Sequence, residues 1–145
     1  FEKDGWNMKR LHLNSHDGTH LNVPIHCTKE GRILDSYTIE DFIGKSRIYK
    51  SNDDIKKGVG VIFCDQNIDL EIAKIIVKKQ PKFVGLSSNF EFDIDVEKYL
   101  LEEGIVSFER LANTSELPDE FMFYGIPLKI KDGDGSPVRA FAVID

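Results

Sequence analysis

The sequence has little cysteine: Cys27 and Cys64 are the only two in 145 residues. Two thiols do not make a disulfide framework, so the fold must be held by packing, and the expected compartment is reducing, the cytoplasm. No secretory leader is visible. The chain opens on Phe1 rather than Met, and residues upstream of it are expected. No apolar run approaches the roughly 18–20 residues of a membrane span. The longest, 59–64 and 121–128, are strand-sized. Cations are outnumbered, 19 Lys+Arg against 25 Asp+Glu for a net charge of −6, and they form no basic stripe. Phosphate contacts need clustered Lys and Arg, so neither nucleic acid nor a membrane is expected as a partner. Repeats, low-complexity tracts and linkers are also missing. What remains is an ordinary globular balance, 41% hydrophobic and 30% charged. A chain of this length buries a real core, and one domain over residues 1–145 is expected.

The hydrophobic pattern is strand-rich. Residues 9–14 alternate Leu11 and Leu13 with His12, which predicts a strand. Residues 19–23 read as extended, and Pro24 bars a central-strand role beyond them. Thr38 has the spacing of a helix N-cap with an acidic third residue, predicting one helical turn to Ile43. Residues 46–50 and 59–64 read as strands. Asp69 caps a helix running to Lys79, with Leu70, Ala73, Ile76 and Val77 at helical spacing and Pro81 as its stop. A short strand at 83–86 precedes a second helix at 95–103, with Gly104 at its C-terminal cap position. A strand at 105–109 follows. Residues 121–131 and 138–144 read as a closing hairpin around Asp132-Gly133-Asp134-Gly135. The fold class is α+β, or mixed α/β.

All four histidines lie between residues 12 and 26. Three sit in the run His16-Asp17-Gly18-Thr19-His20-Leu21-Asn22-Val23-Pro24-Ile25-His26. Histidine is the commonest metal ligand and the commonest acid–base group near neutral pH. Gly18 permits a tight turn, so His16 and His20 can enter one pocket from a loop and the following strand. His20 and Asn22 share a strand face, while Leu21 and Val23 face the core. His26 is displaced beyond Pro24. Two ligands and one offset general base is one reading of this pattern. A solvated, turn-rich surface with incidental histidines is the other.

The segment resembles the HxGTHxDxPxH signature of the cyclase family of metal-dependent hydrolases, which includes kynurenine formamidases and isatin hydrolases. Weaker similarities follow in the family's order. They are Phe83-Val84-Gly85-Leu86 with Ser88, then Phe108-Glu109-Arg110-Leu111-Ala112-Asn113, then Gly135-Ser136-Pro137-Val138-Arg139-Ala140. The resemblance implies a swivelling β/β/α fold, a homodimer or higher homo-oligomer, a small-molecule substrate and a hydrolytic site with two metals. It also implies a covering strand and loop at the N-terminus, of which the chain carries only Phe1 to Asn7 ahead of its first expected strand. It matches His16 and His20 to metal ligands, Glu109 to a late carboxylate ligand and His26 to the general acid–base.

Two positions depart from the pattern. Asn22 stands where the family has a metal-bridging Asp, and Glu97 where it has a ligand His. An amide is a poor bridge, because only its carbonyl oxygen binds a cation without deprotonation. One negative charge is lost at 22 and one gained at 97. His16 and His20 make a nitrogen-rich half suited to Zn²⁺, the first choice of cofactor; Glu97 and Glu109 make an oxygen-rich half suited to Mn²⁺ or Mg²⁺. The expectation is one or two divalent metals per chain, acting on an amide, formamide or cyclic amide. The alternative is a non-catalytic relative with one metal or none that binds a small molecule or a protein. Ser88, Phe90, Phe92 and Trp6 are the substrate-side candidates, and core or interface packing is the other reading of the aromatics.

Overall fold

The computed structural model describes residues 5–144; Phe1 to Asp4 of the expected covering segment lie outside them. The strands are β1 (His20–Asn22), β2 (Ile43–Ile48), β3 (Gly60–Phe63), β4 (Val84–Ser87), β5 (Ser107–Leu111), β6 (Glu120–Tyr124), β7 (Gly135–Pro137) and β8 (Phe141–Val143). Helix α1 (Leu70–Lys79) follows β3, and α2 (Ile94–Glu102) follows β4. The strands form one mixed sheet in the order β7-β1-β5-β4-β3-β2-β6-β8. The central pairs β2–β3, β3–β4 and β4–β5 are parallel. The flanking pairs are antiparallel. Strands β7 and β8 stand at opposite ends of this order, yet only residues 138–140 separate them. Such a link spans at most about 14 Å at ~3.5 Å per residue, so the sheet curls until its edges approach. A bridge between Pro127 and Val138 lies at that closure.

The curl gives the sheet two apolar sides. Along β3, Val61 and Phe63 face the helices, where they meet Val84, Leu86, Ala73, Ile76, Val96 and Leu100. Ile62 and Cys64 point the other way, towards Leu21, Phe83, Phe108, Phe121 and Phe123. The rings of Phe83, Phe108 and Phe123 meet at centroid distances of 5.2, 5.2 and 4.9 Å. The α1 boundaries follow local chemistry. The Asp69 side chain accepts the Ile72 N–H at 2.8 Å, and Gln80 ends the helix in the left-handed region ahead of Pro81. Asp93 caps α2, and Gly104 turns the chain out of it at φ 81°. Thr38 and Asp41 cap a 3-10 turn, Ile39–Phe42. Among the described residues no helix is long and apolar enough to cross a membrane.

Two expectations are corrected. Residues 9–14 form no strand. Leu11 is 76% exposed and Leu13 58%, so their alternation has no sheet partner to face. The closing hairpin is only half present. Strand β6 does pair with β8, Met122 opposite Val143. The segment between them leaves that pair, however, and β7 docks on β1 at the far end of the order, with Ser136 opposite Leu21.

The docking of β7 depends on a close backbone approach at Gly135. A Cβ there would lie 2.5 Å from the Leu21 carbonyl oxygen and 2.6 Å from His16 Cε1. The carbonyl belongs to a paired strand and cannot move aside. Gly135→Ala should therefore cost about 1–3 kcal/mol. Thermal denaturation of the purified variant checks this, and an unchanged Tm would show that β7 is not held as closely as described.

Candidate metal centre

Strand β1 lies between β7 and β5, and its register sets the site. His20 stands opposite Glu109, Leu21 opposite Phe108 and Asn22 opposite Ser107. Directly opposed residues of an antiparallel pair share a face. His20, Asn22, Ser107 and Glu109 therefore lie together on one side, with Leu21 and Phe108 on the other in the aromatic core. Helix α2 covers the polar side and brings Glu97 from its first turn. His20 is 4% exposed, and Asn22 and Ser107 are fully buried.

The Asn22 amide is the hub. Its Nδ2 donates to Glu97 Oε1 and to Glu109 Oε1, each at 2.5 Å, with Ser107 Oγ at 3.3 Å. The two carboxylate oxygens flank one nitrogen, so the amide cannot be turned over without setting its oxygen against both acids. Oδ1 therefore faces His16, and accepts from its Nδ1 at 2.6 Å. His20 donates from Nδ1 to the Gly18 carbonyl at 2.8 Å, which Gly18 presents from a left-handed turn at φ 65°. That leaves His20 Nε2 directed at Glu109 Oε1, 3.3 Å away.

Burial first, and then the facing charge of Glu109, push the Glu97 carboxyl up to about 7. Burial also raises Glu109, but hydrogen bonds from His20, Glu97 and Asn22 outweigh it and hold this carboxyl well below the usual range. The two acids thus divide their protons unequally: Glu109 carries the charge and Glu97 keeps a proton near neutrality. Burial would lower His20, yet its bonds to Glu109 and Gly18 and the two acidic charges raise it.

A second cluster adjoins the first through His16. Its Nε2 lies 2.9 Å from Asp134 Oδ2, and His26 Nδ1 lies 3.2 Å from the same oxygen. The rings of His16 and His26 overlie at a centroid distance of 4.0 Å. One ligand atom from each of His16, His26 and Asp134 lies within 4.8 Å of the others, a grouping able to hold a metal ion. Burial would raise the Asp134 carboxyl, but hydrogen bonds from His16, Ser15 and His26 hold it far below its ordinary range.

The structure thus brings His16, His20, Asn22, Glu97 and Glu109 into one network, with His26 beside it. Phe90 and Phe92 are half-buried against the helix-side core. Ser88 is exposed, and its N–H donates to the Leu111 carbonyl. Trp6 is 78% exposed. Burial pushes the Cys27 thiol up, with Glu102 and Glu97 adding to it, which disfavours a thiolate beside His26. Sequence reasoning missed Asp134 and Ser107. Asp134 was legible only as part of a turn, although it directly precedes Gly135-Ser136-Pro137.

The donor types here suit a divalent cation, and the grouping whose ligand atoms all lie within 4.8 Å of one another among the described residues is His16, His26 and Asp134. Two half-buried carboxyls lie close enough to perturb each other, and His20 has its Nδ1–H fixed by a carbonyl so that Nε2 faces them. A metal-ligating histidine is commonly held in this way, its other ring N–H bonded to a backbone carbonyl.

Whole-chain comparison finds the same relationship as the histidine motif. The kynurenine formamidase of Salinibacter ruber is 25% identical over 169 aligned positions, which cover 92% of this chain and 78% of that protein. Isatin hydrolase A from Ralstonia solanacearum superposes with a TM-score of 0.81 at 16% identity, over 97% of this chain and 76% of that one. A structure described as a potential metal-dependent hydrolase with cyclase activity gives 0.74 at 21% identity, over 92% and 81%. No family model matches the chain. At these identities the structural matches establish the fold.

The raised Glu97 has a measurable consequence in the metal-free protein. A carboxyl raised by folding adds stability below its unfolded value of 4.5, and that contribution disappears as pH rises through about 7. The raised His20 acts in the same sense, from its ordinary 6.5 upward. The depressed Glu109 acts oppositely, its contribution vanishing only in acid. The Tm of chelator-treated protein should therefore fall between pH 5.5 and 8.5. Glu97→Gln should flatten that slope and raise Tm at pH 8 by several degrees. A native Tm that climbs over this range would contradict the assignment.

Proposed function

We propose that this relative of the cyclase-family hydrolases is itself a metal-dependent hydrolase of an amide, formamide or cyclic amide, working in the cytoplasm as a homodimer or higher homo-oligomer. The observation that carries the reading is the convergence of Glu97 from α2 on the cross-strand pair His20 and Glu109. Residues far apart in sequence supply imidazole and carboxylate donors to one half-buried spot. His16, His20, Glu109 and Glu97 are the proposed ligands, with Asn22 alongside and Zn²⁺ ahead of Mn²⁺ or Mg²⁺. When bound, the cation supplies Lewis acidity, polarising a carbonyl and acidifying water.

The remaining work falls to the chain. Gly18 holds the His20 ring so that Nε2 faces the acids. His26 is the proposed proton carrier. Its side chain is 35% exposed, at the outer side of the cluster. It takes a proton from the water whose oxygen attacks the carbonyl carbon, and returns it to the nitrogen as the C–N bond breaks. The 88–92 loop leaves the carboxyl end of β4, where Ser88 bonds to Leu111 two residues beyond Glu109. Ligands of open α/β sheets bind beyond the carboxyl ends of their strands. That position supports Ser88, Phe90 and Phe92 as substrate-side residues, and Trp6, 78% exposed, completes the proposed set.

A second reading has its own observation. Asn22 already satisfies Glu97 and Glu109 with its two N–H groups, as a protein without a metal would need. A non-catalytic relative that binds a small molecule or a partner protein would keep this network.

Metal analysis and an N-formyl arylamine assay separate the two. The hydrolase reading expects bound metal, turnover that disappears on chelation, and His26→Ala that loses at least ~100-fold in kcat while keeping its metal. Turnover indifferent to chelation or to His26→Ala would sink it. Activity gained only in Asn22→Asp combined with Glu97→His would favour the non-catalytic reading for the native chain.

A further inference from the structure

The turn residue Asp134 belongs to none of the expected roles, yet its carboxylate touches two of the three clustered histidines. We propose that Asp134 is a positioning residue that fixes the tautomer and direction of the His26 ring. The kinetic part of this proposal rests on the hydrolase reading; the structural part does not.

The main chain fixes the pair first. Val23 N–H donates to the Asp134 carbonyl at 3.1 Å, and the Val23 carbonyl accepts His26 N–H at 2.9 Å. Both partners are thus indexed to a single residue at the end of β1. Pro24 opens the 3-10 turn Pro24–His26, which limits the freedom of the intervening backbone. Gly133 adds a second tie, its carbonyl accepting Leu34 N–H at 2.8 Å. The side chains then meet on one oxygen. Asp134 Oδ2 lies 2.9 Å from His16 Nε2 and 3.2 Å from His26 Nδ1.

An ionised carboxylate only accepts, with room for both imidazoles on Oδ2. His26 must therefore present Nδ1–H to it. In the neutral ring that leaves the Nε2 lone pair on the opposite edge, available to take a proton. The other tautomer would set the Nδ1 lone pair against carboxylate oxygen. His16 packs against the same ring at a centroid distance of 4.0 Å, which limits its swing. The result is a carboxylate–imidazole pair of the kind that orients a histidine without exchanging its own proton. The same oxygen joins His26 to His16 and, through His16 Nδ1, to Asn22.

The test uses the full chain with ¹⁵N-labelled histidine and long-range ¹H–¹⁵N correlation at pH 8, His26 being assigned by its loss in His26→Gln. Native protein should show His26 protonated at Nδ1 and bare at Nε2. Asp134→Ala should mix the tautomers, and Asp134→Asn, which keeps an acceptor oxygen, should largely restore the native one. Zn²⁺ content by mass spectrometry should be unchanged in both variants. With an N-formyl arylamine, Asp134→Ala should lower kcat by ~10–100-fold while KM moves far less. A native His26 protonated at Nε2 overturns the proposal. So does loss of Zn²⁺ in proportion to the substitution, which would make Asp134 a ligand instead. Absence of hydrolysis by native protein would defeat the hydrolase reading, while the tautomer measurement would still decide the role of Asp134.

Discussion

Two half-buried carboxyls share one amide nitrogen, and the rest of the site is arranged around that fact. Taking acids out of water is costly unless they are paired or protonated. Here the cost is met by several partners at once. Asn22 gives each acid an N–H, Ser107 lies within reach of Glu97, and His20 faces Glu109. What these donors leave unbalanced is met by a proton on Glu97. A third carboxylate at position 22 would remove the two N–H donors and add a charge. Such a cluster would need a cation to persist. With Asn22 the cluster can close on itself through its two N–H groups.

The location follows from the sheet. On the helix side, β3 and β4 present only apolar residues, Val61, Phe63, Val84 and Leu86. The polarity changes at β5, where Ser107 and Glu109 occupy the equivalent face, and continues onto β1. The β4–β5 register shifts between Gly85 and Ser87, and Arg110 adopts φ 54°. A left-handed conformation is unfavourable for arginine, and irregularities of this kind gather beside functional sites. The bend comes immediately after Glu109. It interrupts the β4–β5 pairing beside Glu109, the partner of His20 on β1, and the pairing resumes with Ser87 opposite Leu111.

Much of this was legible from spacing. Asp69, Pro81 and Gly104 mark helix ends because capping is local chemistry, and the structure uses all three. The Gly18 turn and the shared face of His20 and Asn22 are also local. Residues 9–14 misled for the complementary reason: alternation describes a strand only if another strand accepts it, and sequence does not name the partner. Asp134 was hidden by the same limit. Its turn composition is local, but its proximity to His16 depends on β7 pairing with β1 across 118 residues of separation between the two side chains. The hairpin reading kept residues 121–144 together. The curl of the sheet instead sends β7 and β8 to opposite edges, a consequence of closure rather than of any short motif.

The exchange at positions 22 and 97 can be followed as a movement of charge. Relative to the family pattern, a negative charge leaves the middle of β1 and appears in the first turn of α2. A helix N-terminus favours an anion, by typically 0.3–1 kcal/mol at an exposed site. At Glu97 burial and the facing acid overcome that preference, since its carboxyl is raised rather than lowered. The departure therefore does not simply relocate a fixed ligand charge. It replaces a permanent anion with one that ionises near neutrality. A cation bound at this position would have to compete with that proton, which would link its affinity to proton release from Glu97. A histidine there would compete with a proton as well, but it would bind as a neutral ligand. A carboxylate would bind with charge, and so would favour harder cations once its proton had left.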